Sequence, residues 1–256
     1  MIPKTINYCW FGRGEKDELF YKCLESWKKY FPDYEIVEWN EDNFDINQND
    51  YIKEAYEAKK YAFVSDYARI KIIYDFGGIY FDTDVEVLKD MHKIIENGSF
   101  VGCELQNQIA TGLGFAAEKH NYMASKMLQQ YENVHFKEKD GNFNMTPCVI
   151  YNTKAFKENG WIGNNEIVKI KDMYVYPPEY FSPFNYQTGE ENITDNTYTY
   201  HHGTASWLPN YERKLLQLKK KLVSKLGKKI GKIIYYIVKF FVLIVKEPKK
   251  ILRKGK

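Results

Sequence analysis

Two hydrophobic periods alternate along the first part of the chain. Residues 5–11 and 34–39 are short apolar runs of the kind that form buried strands, whereas apolar residues between 63 and 74 recur every three or four positions, as on one helix face. Gly77 and Gly78 end that helix, and a third short apolar run at residues 79–81 predicts another strand. The alternation predicts an α/β domain with a largely parallel sheet.

From residue 211 onward the pattern changes to one long amphipathic repeat, in which lysines fill most of the polar face. The apolar positions are Leu215, Leu218, Leu222, Leu226, Ile230, Ile233, Ile237, Phe241 and Ile244. The most apolar stretch, residues 233–245, contains Lys239 and is shorter than the about 20 residues that cross a bilayer. The sequence predicts a long basic helix, or two in series around Gly227 and Gly231, lying on a membrane rather than spanning it.

The charge of the chain is divided at the same place. Residues 211–256 carry 16 Lys and Arg against two Glu, a charge of +14, whereas residues 1–210 carry −11. We therefore expect a folded domain over residues 1–210, a basic amphipathic helical tail over residues 211–256, and an anionic partner for the tail. A membrane surface is favoured over nucleic acid because the other face of the tail is apolar. The alternative is a tail packed on its own domain or on another subunit.

The N-terminus and the cysteines bear on the compartment. The first residues mix polar and apolar side chains and lack the apolar segment of a secretory signal. The four cysteines form no Cys-x-x-Cys pair and fit no zinc pattern, which is typical of free thiols in a reducing compartment. We therefore expect a cytoplasmic protein that is peripheral on the inner face of the cell membrane.

Two carboxylates follow the strand at residues 79–81. Asp82 and Asp84 flank Thr83, and ligands of open α/β sheets bind beyond the carboxyl ends of strands. Carboxylates this close repel each other unless a cation neutralises them, and their hard oxygens suit Mg²⁺ or Mn²⁺ together with substrate phosphates. The pair therefore predicts a metal site that stabilises a departing nucleoside diphosphate. The alternative is a pair of turn residues on a solvated rim.

A second pair of charges lies on the preceding helix. Asp66 and Arg69 are three residues apart, so both side chains lie on one side of that helix. One interpretation is an intrahelical ion pair of little energetic weight. The other assigns Asp66 to hydroxyls of the ribose or donor sugar, and Arg69 to the phosphate or donor sugar, where a permanent cation is suitable.

Three sequence blocks carry a resemblance to a known family. Residues 2–12 contain Ile-Pro-Lys-Thr-Ile and Tyr-Cys-Trp-Phe-Gly, residues 63–69 are Phe-Val-Ser-Asp-Tyr-Ala-Arg, and residues 77–84 are Gly-Gly-Ile-Tyr-Phe-Asp-Thr-Asp. In this order they resemble glycosyltransferase family 32, the DXD-containing sugar-binding transferases of capsule and surface polysaccharide synthesis, with a core similar to the large clostridial glucosylating toxins. The resemblance spans residues 2–207. It implies a GT-A-type, Rossmann-like fold, a nucleotide-sugar donor, Mn²⁺ or Mg²⁺, and retention of anomeric configuration.

The resemblance also implies roles for individual residues. Trp10 would stack on the donor base, and Asp66, Arg69 and Asp84 would be the residues on which transfer depends. Asp82 and Asp84 would hold the metal and the ribose, with Asp84 the better candidate for direct ligation of the metal. The residues implied to bind the donor are Trp10, Ser65, Asp66, Arg69, Tyr80 and Asp82.

A further block near residue 200 completes the implied site. The family closes its active site with a His-x-x-x-Ser-Trp block, which His202, Ser206 and Trp207 match. A neutral imidazole is a good ligand for Mn²⁺-like ions, so His202 would be the third metal ligand, while Ser206 and Trp207 approach the diphosphate. The spacing favours His202 over its neighbour His201, although either could ligate.

These observations predict a metal-dependent retaining glycosyltransferase. It would move a hexose or related sugar from a nucleoside-diphosphate sugar, UDP in preference to GDP, to a glycan acceptor. A lipid-linked acceptor would explain the basic tail, because anchoring raises the local concentration of enzyme near its substrate. One alternative is a membrane-peripheral sugar-nucleotide-binding protein without turnover. Another is a nucleotidyltransferase or sugar-nucleotide hydrolase, although the chain has no Gly-rich phosphate loop that opens a helix.

Overall fold

The computed structural model describes residues 1–104, 107–163, 166–185, 190–205, 208 and 210–246. The chain divides into two compact units. The first comprises Met1–Pro183 and Ile193–Gly203, and the second comprises Phe184–Asn192 and Thr204–Lys256. The predicted division at residue 210 stays a prediction.

Strands and helices alternate along the chain, as the sequence pattern predicts. In chain order the elements are β1 Thr5–Cys9, α1 Glu18–Tyr30, β2 Glu35–Trp39, α2 Asp50–Glu57, α3 Tyr61–Phe76, β3 Gly78–Tyr80, β4 Val85–Val87, α4 His92–Glu96, β5 Phe100–Glu104, β6 Gln108–Ala117, α5 Tyr122–Gln129, α6 Cys148–Glu158, β7 Val168–Ile170, β8 Met173–Tyr176, α7 Pro178–Phe181, β9 Phe184–Asn185, β10 Glu190–Glu191, β11 Thr199–His201 and α8 Asn210–Lys246.

A seven-stranded sheet with the order β2-β1-β3-β6-β5-β8-β7 forms the centre of the first unit. Strand β1 pairs in parallel with β2 and β3, and β5 pairs in parallel with β8. Strand β6 is antiparallel to both β3 and β5, and β7 is antiparallel to β8. Five strands therefore run in one direction, which confirms the predicted α/β class with a mostly parallel sheet. It also follows that β1, β3 and β5 all end at the same edge.

Both faces of this sheet are covered by apolar side chains. Ile79 and Phe81 pack in a cluster with Trp27 of α1, whereas Tyr80 between them packs in a second cluster with α3. Successive side chains of a strand point to opposite faces, and this alternation places β3 between two hydrophobic layers. Such double burial explains why β3 is a continuous apolar run in the sequence.

The turn from α3 into β3 brings the strand directly beside β1. Gly77 and Gly78 have φ angles of 71° and 101°, which L-residues with a side chain rarely adopt. A Cβ at Gly78 would lie 2.7 Å from the backbone oxygen of Thr5 on the neighbouring strand. The glycine pair therefore ends the helix, as predicted, and also permits close packing against β1. The two aspartates that follow β3 are thereby held at the carboxyl edge of the sheet.

The second unit consists of the small β9–β10 ladder and α8. Helix α8 is interrupted at Gly227, whose φ of 75° and ψ of 164° are not helical. Its two halves are therefore separate helices, which agrees with the predicted alternative of two helices in series around Gly227 and Gly231. Within the described residues, no helix combines the length and apolar character needed to traverse a bilayer.

Candidate metal and donor site

Three potential metal ligands meet at the carboxyl edge of the sheet. Asp82 follows β3, Asp84 precedes β4, and His201 ends β11, which pairs antiparallel with β4. One ligand atom from each of the three residues lies within 4.8 Å of the others, and His201 Nε2 is 3.2 Å from Asp84 Oδ1. The β4–β11 ladder therefore brings together residues that are far apart in the sequence.

Backbone hydrogen bonds fix the loop that carries the two aspartates. The amide of Asp82 donates to the carbonyl of Gly112 on β6 at 2.9 Å, and the amide of Val85 donates to the carbonyl of Asp82 at 3.0 Å. The amide of His202 donates to the carbonyl of Asp84 at 3.0 Å. The loop is thus tied to two different strands, and its carboxylates have little freedom to move apart.

The structure differs from the sequence-based assignment of the histidine. His202 Nε2 lies 2.9 Å from Glu86 Oε2, and Lys22 Nζ lies 2.6 Å from the same oxygen. Because neighbouring residues of an extended chain point to opposite sides, only one of His201 and His202 can face the aspartates. The spacing of the family block favoured His202, but the residue beside Asp82 and Asp84 is His201.

Arg69 forms the second half of the site. Its guanidinium contacts Asp66 through Nη2 at 2.8 Å and Asp82 through Nη1 at 3.3 Å, while Nε donates to the Ser65 carbonyl at 3.0 Å. The Tyr80 hydroxyl donates to the other oxygen of Asp82 at 3.1 Å. Arg69 is only 6% exposed, so this network holds a buried cation between two carboxylates. The predicted intrahelical pair exists, but Arg69 also joins α3 to the loop that carries Asp82 and Asp84.

Burial and neighbouring charges oppose each other at Asp66 and at His201, and the pKa values of both groups are raised. Burial raises the pKa of the Asp66 carboxyl, although Arg69 acts to lower it. Burial lowers the pKa of His201, but the carboxylates of Asp84, Asp82 and Glu104 together outweigh this effect and raise that pKa to about 9. The His201 imidazole therefore holds a proton at neutral pH. A divalent cation would replace that proton as the positive charge between imidazole and carboxylates.

Trp10 and Ser65 are also predicted to bind the donor, and each donates a side-chain hydrogen bond to a backbone carbonyl. The Trp10 indole follows β1 at the same edge of the sheet, donates to the Gly14 carbonyl at 2.9 Å, and packs 5.7 Å from the Phe20 ring. The Ser65 hydroxyl donates to the Tyr61 carbonyl at 3.2 Å within α3. Ser206 and Trp207 lie outside the described residues.

Two residues near the aspartates were not found by sequence reasoning. Gly112 lies so close to Asp82 that a Cβ there would be 2.0 Å from Oδ2 of Asp82. Glu104 ends β5 at the same edge, burial raises its pKa, and it interacts electrostatically with His201 and Asp82. A carboxylate at the end of the apolar run Phe100–Glu104 was a usable signal, whereas nothing in the sequence singled out Gly112.

The donor set suits a hard divalent cation. Two carboxylates and one imidazole offer oxygen and nitrogen ligands. Mn²⁺ binds both kinds of ligand, whereas Mg²⁺ prefers the oxygens. Phosphate oxygens of a nucleotide commonly complete the coordination shell of such ions. Arg69 contacts one oxygen of Asp82 and the Tyr80 hydroxyl contacts the other, and each oxygen has a second lone pair that could bind a cation. The residues present therefore fit the predicted Mn²⁺ or Mg²⁺.

A comparison with protein families agrees with the predicted role of the two aspartates in a glycosyltransferase site. Residues 17–101 match the family described as "Glycosyltransferase sugar-binding region containing DXD motif". The matched segment includes Asp66, Arg69, Asp82 and Asp84. No curated protein matches the chain.

Two solved structures are similar over part of the fold. "PaToxG Glycosyltransferase" shares 18% identity, covers 61% of this chain and 69% of its own, and gives a TM-score of 0.46. A glycosyltransferase involved in the glycosylation of the major capsid of PBCV-1 shares 12% identity, covers 83% of this chain and 98% of its own, and gives a TM-score of 0.44. The family match at residues 17–101 is to a glycosyltransferase sugar-binding region, in agreement with the predicted class of enzyme.

Proposed function

We propose that this chain is a divalent-metal-dependent, retaining glycosyltransferase. It transfers a hexose or related sugar from a nucleoside-diphosphate sugar to a glycan acceptor carried on a membrane lipid, in surface polysaccharide or capsule synthesis. UDP is the preferred nucleotide and GDP the second. The observation that carries the proposal is the meeting of Asp82, Asp84 and His201 beside the buried Arg69 network.

The proposed division of labour follows from this geometry. Asp82, Asp84 and His201 hold the cation, which as a Lewis acid stabilises the charge that develops on the departing diphosphate. Asp66 is fixed by Arg69 and by hydrogen bonds from Cys148, and its carboxylate would also accept hydrogen bonds from hydroxyls of the ribose or donor sugar. Trp10 stacks on the base. Retention follows from the resemblance to family 32, and no nucleophile is assigned.

A donor panel tests the reaction class. The full chain is incubated with Mn²⁺ and a series of UDP- and GDP-sugars, without and with acceptor glycans, and released nucleotides are separated by chromatography. We expect slow release of a nucleoside diphosphate that stops when EDTA removes the metal. If the protein binds a donor but releases no nucleotide from it with any acceptor present, the result would favour the alternative of a binding protein without turnover. Release of a sugar phosphate would contradict transfer and indicate a hydrolase or nucleotidyltransferase.

We also propose that α8 places the enzyme on the inner face of the cell membrane. The second half of α8 exposes large apolar side chains although lysines surround them. The exposed apolar positions include Ile230, Ile233, Ile237, Phe240, Phe241 and Ile244. A helix with one apolar and one basic face binds the interface of anionic membranes through burial of its apolar side chains and through attraction between its lysines and the lipid headgroups.

Vesicle flotation tests this placement. Phe240→Ser combined with Phe241→Ser should lower the fraction bound to phosphatidylserine vesicles several-fold, because two aromatic side chains no longer enter the interface. Phe76→Ser is the matched control, since Phe76 is similarly exposed but lies in the first unit. Binding should also fall with added salt, because the lysine contribution is screened. Equal binding of the double variant, or equal binding of the wild type to uncharged vesicles, would contradict the proposal.

A further inference from the structure

Helix α8 is a hairpin that is closed at one end. Gly231 lies against the preceding half so tightly that a Cβ there would be 2.7 Å from the Cα of Val223. Farther from the turn, Lys219 Nζ lies 5.5 Å from the ring centre of Tyr235. These contacts pair residues on either side of Gly227 in antiparallel order. The two helices therefore touch at the Gly227 end.

The other end of the hairpin is open. A cavity of about 570 Å³ separates the two helices there, a size typical of ligand sites. Its lining comes from the first turns of one helix and the last turns of the other. The lining residues are Tyr211, Lys214, Leu215, Leu218, Val238, Val242 and Lys246. Four aliphatic side chains thus form the interior of this cleft between the helices.

Positive charge is concentrated at the rim of the cleft. Lys214 and Lys246 are both exposed, and each lies on a different helix. None of the described lining residues is acidic, and the nearby Glu212 already accepts a hydrogen bond from the Tyr211 hydroxyl at 3.0 Å. An aliphatic cleft with two ammonium groups at its rim is complementary to an amphiphile that has a hydrocarbon chain and an anionic head.

We propose that this cleft binds one hydrocarbon chain of a membrane lipid phosphate, whose phosphate is held between Lys214 and Lys246. The site is distinct from the apolar positions proposed above to enter the membrane, because those are exposed whereas Leu215 is buried and Leu218, Val238 and Val242 are half-buried. The inference depends on the hairpin alone and does not require that glycosyl transfer takes place. It predicts that the protein retains one lipid molecule in a defined place.

Calorimetric titration with dodecyl phosphate, kept below its micelle concentration, tests the site on the full chain. We expect saturable binding of one molecule, no binding of inorganic phosphate, and much weaker binding of dodecyltrimethylammonium, which has the same chain and the opposite charge. Val242→Trp should fill the cleft and weaken dodecyl phosphate binding by at least about tenfold. Val245→Trp is the matched control, since Val245 is 76% exposed and does not line the cleft.

Two further measurements separate this site from its alternatives. Lys214→Gln with Lys246→Gln should weaken dodecyl phosphate binding by roughly tenfold while binding of dodecanol stays unchanged. Circular dichroism must show the same helix content in every variant. Unchanged binding in Val242→Trp, or equal binding of the cationic amphiphile, would overturn the proposal. So would a concentration-dependent dimer that Val242→Trp dissociates in the absence of lipid, because a second copy would then fill the cleft.

Discussion

Asp84→Asn will reduce the metal-dependent release of nucleoside diphosphate by at least about a hundredfold while the protein stays folded. Asp84 is buried and its Oδ1 lies 3.2 Å from His201 Nε2, so it directly contacts another of the three potential ligands. An amide oxygen carries no net charge and binds a hard cation weakly. A hundredfold lower rate corresponds to a loss of about 2.7 kcal/mol in the stabilisation that the metal gives to the transition state. Initial rates at saturating Mn²⁺, together with Mn²⁺ affinity from electron paramagnetic resonance, measure the effect.

Asp75→Asn is the matched control for this variant. Asp75 pairs with Lys71 on the surface of α3. Its replacement by Asn removes one negative charge, as Asp84→Asn does, but away from the site. It should leave both the rate and the Mn²⁺ affinity unchanged. If Asp84→Asn kept wild-type Mn²⁺ affinity, the cluster of Asp82, Asp84 and His201 would not be the metal site, whatever the rate.

Gly112→Ala will also remove activity, although the substitution adds a single methyl group. The new Cβ would lie 2.0 Å from Asp82 Oδ2 and 2.7 Å from Arg69 Nη1, so the Asp82 carboxylate must rotate away from Arg69. Gly112 does not have a positive φ, so space rather than backbone strain is the cause. We expect a loss of about 1–3 kcal/mol in the free energy of unfolding, as is common for overpacked sites. We also expect weaker Mn²⁺ binding and a rate near background.

Gly14→Ala separates the steric effect from a general intolerance of alanine. No atom lies within 4 Å of a Cβ at Gly14, and its φ is not positive. Denaturant unfolding, Mn²⁺ titration and donor turnover should therefore match the wild type. A Gly112→Ala protein with wild-type turnover would show that Asp82 does not need its contact with Arg69.

The parts of the fold that were predicted from the sequence are those encoded over short distances. The apolar run at residues 79–81 and the glycines before it identified β3 and its turn, and Asp82 and Asp84 followed from their position after that strand. Residue spacing on α3 gave the pairing of Asp66 with Arg69. Each of these inferences needs only neighbouring residues, whose geometry is set by the period of the helix or strand.

The features of the site that the sequence did not predict depend on which helices and strands become neighbours in the fold. The contact of Arg69 with Asp82 requires α3 and β3 to be folded back on each other. The role of Gly112 requires β6 to lie antiparallel beside β3, in the middle of a mostly parallel sheet. The choice of His201 over His202 depends on the register of β11 on β4, which a shift of one residue would reverse. No local pattern contains that information.

The arrangement around Arg69 has a consequence for the order in which ligands enter. Asp66, Asp82 and Asp84 converge on a site where Arg69 is the one buried arginine among the described residues. The three carboxylates outnumber the two cations beside them, Arg69 and the protonated His201, so an approaching diphosphate would be repelled until a metal ion reverses the local potential. Under the proposed function we therefore expect a compulsory order, in which Mn²⁺ binds before the donor or arrives already complexed with it, and free sugar nucleotide does not bind.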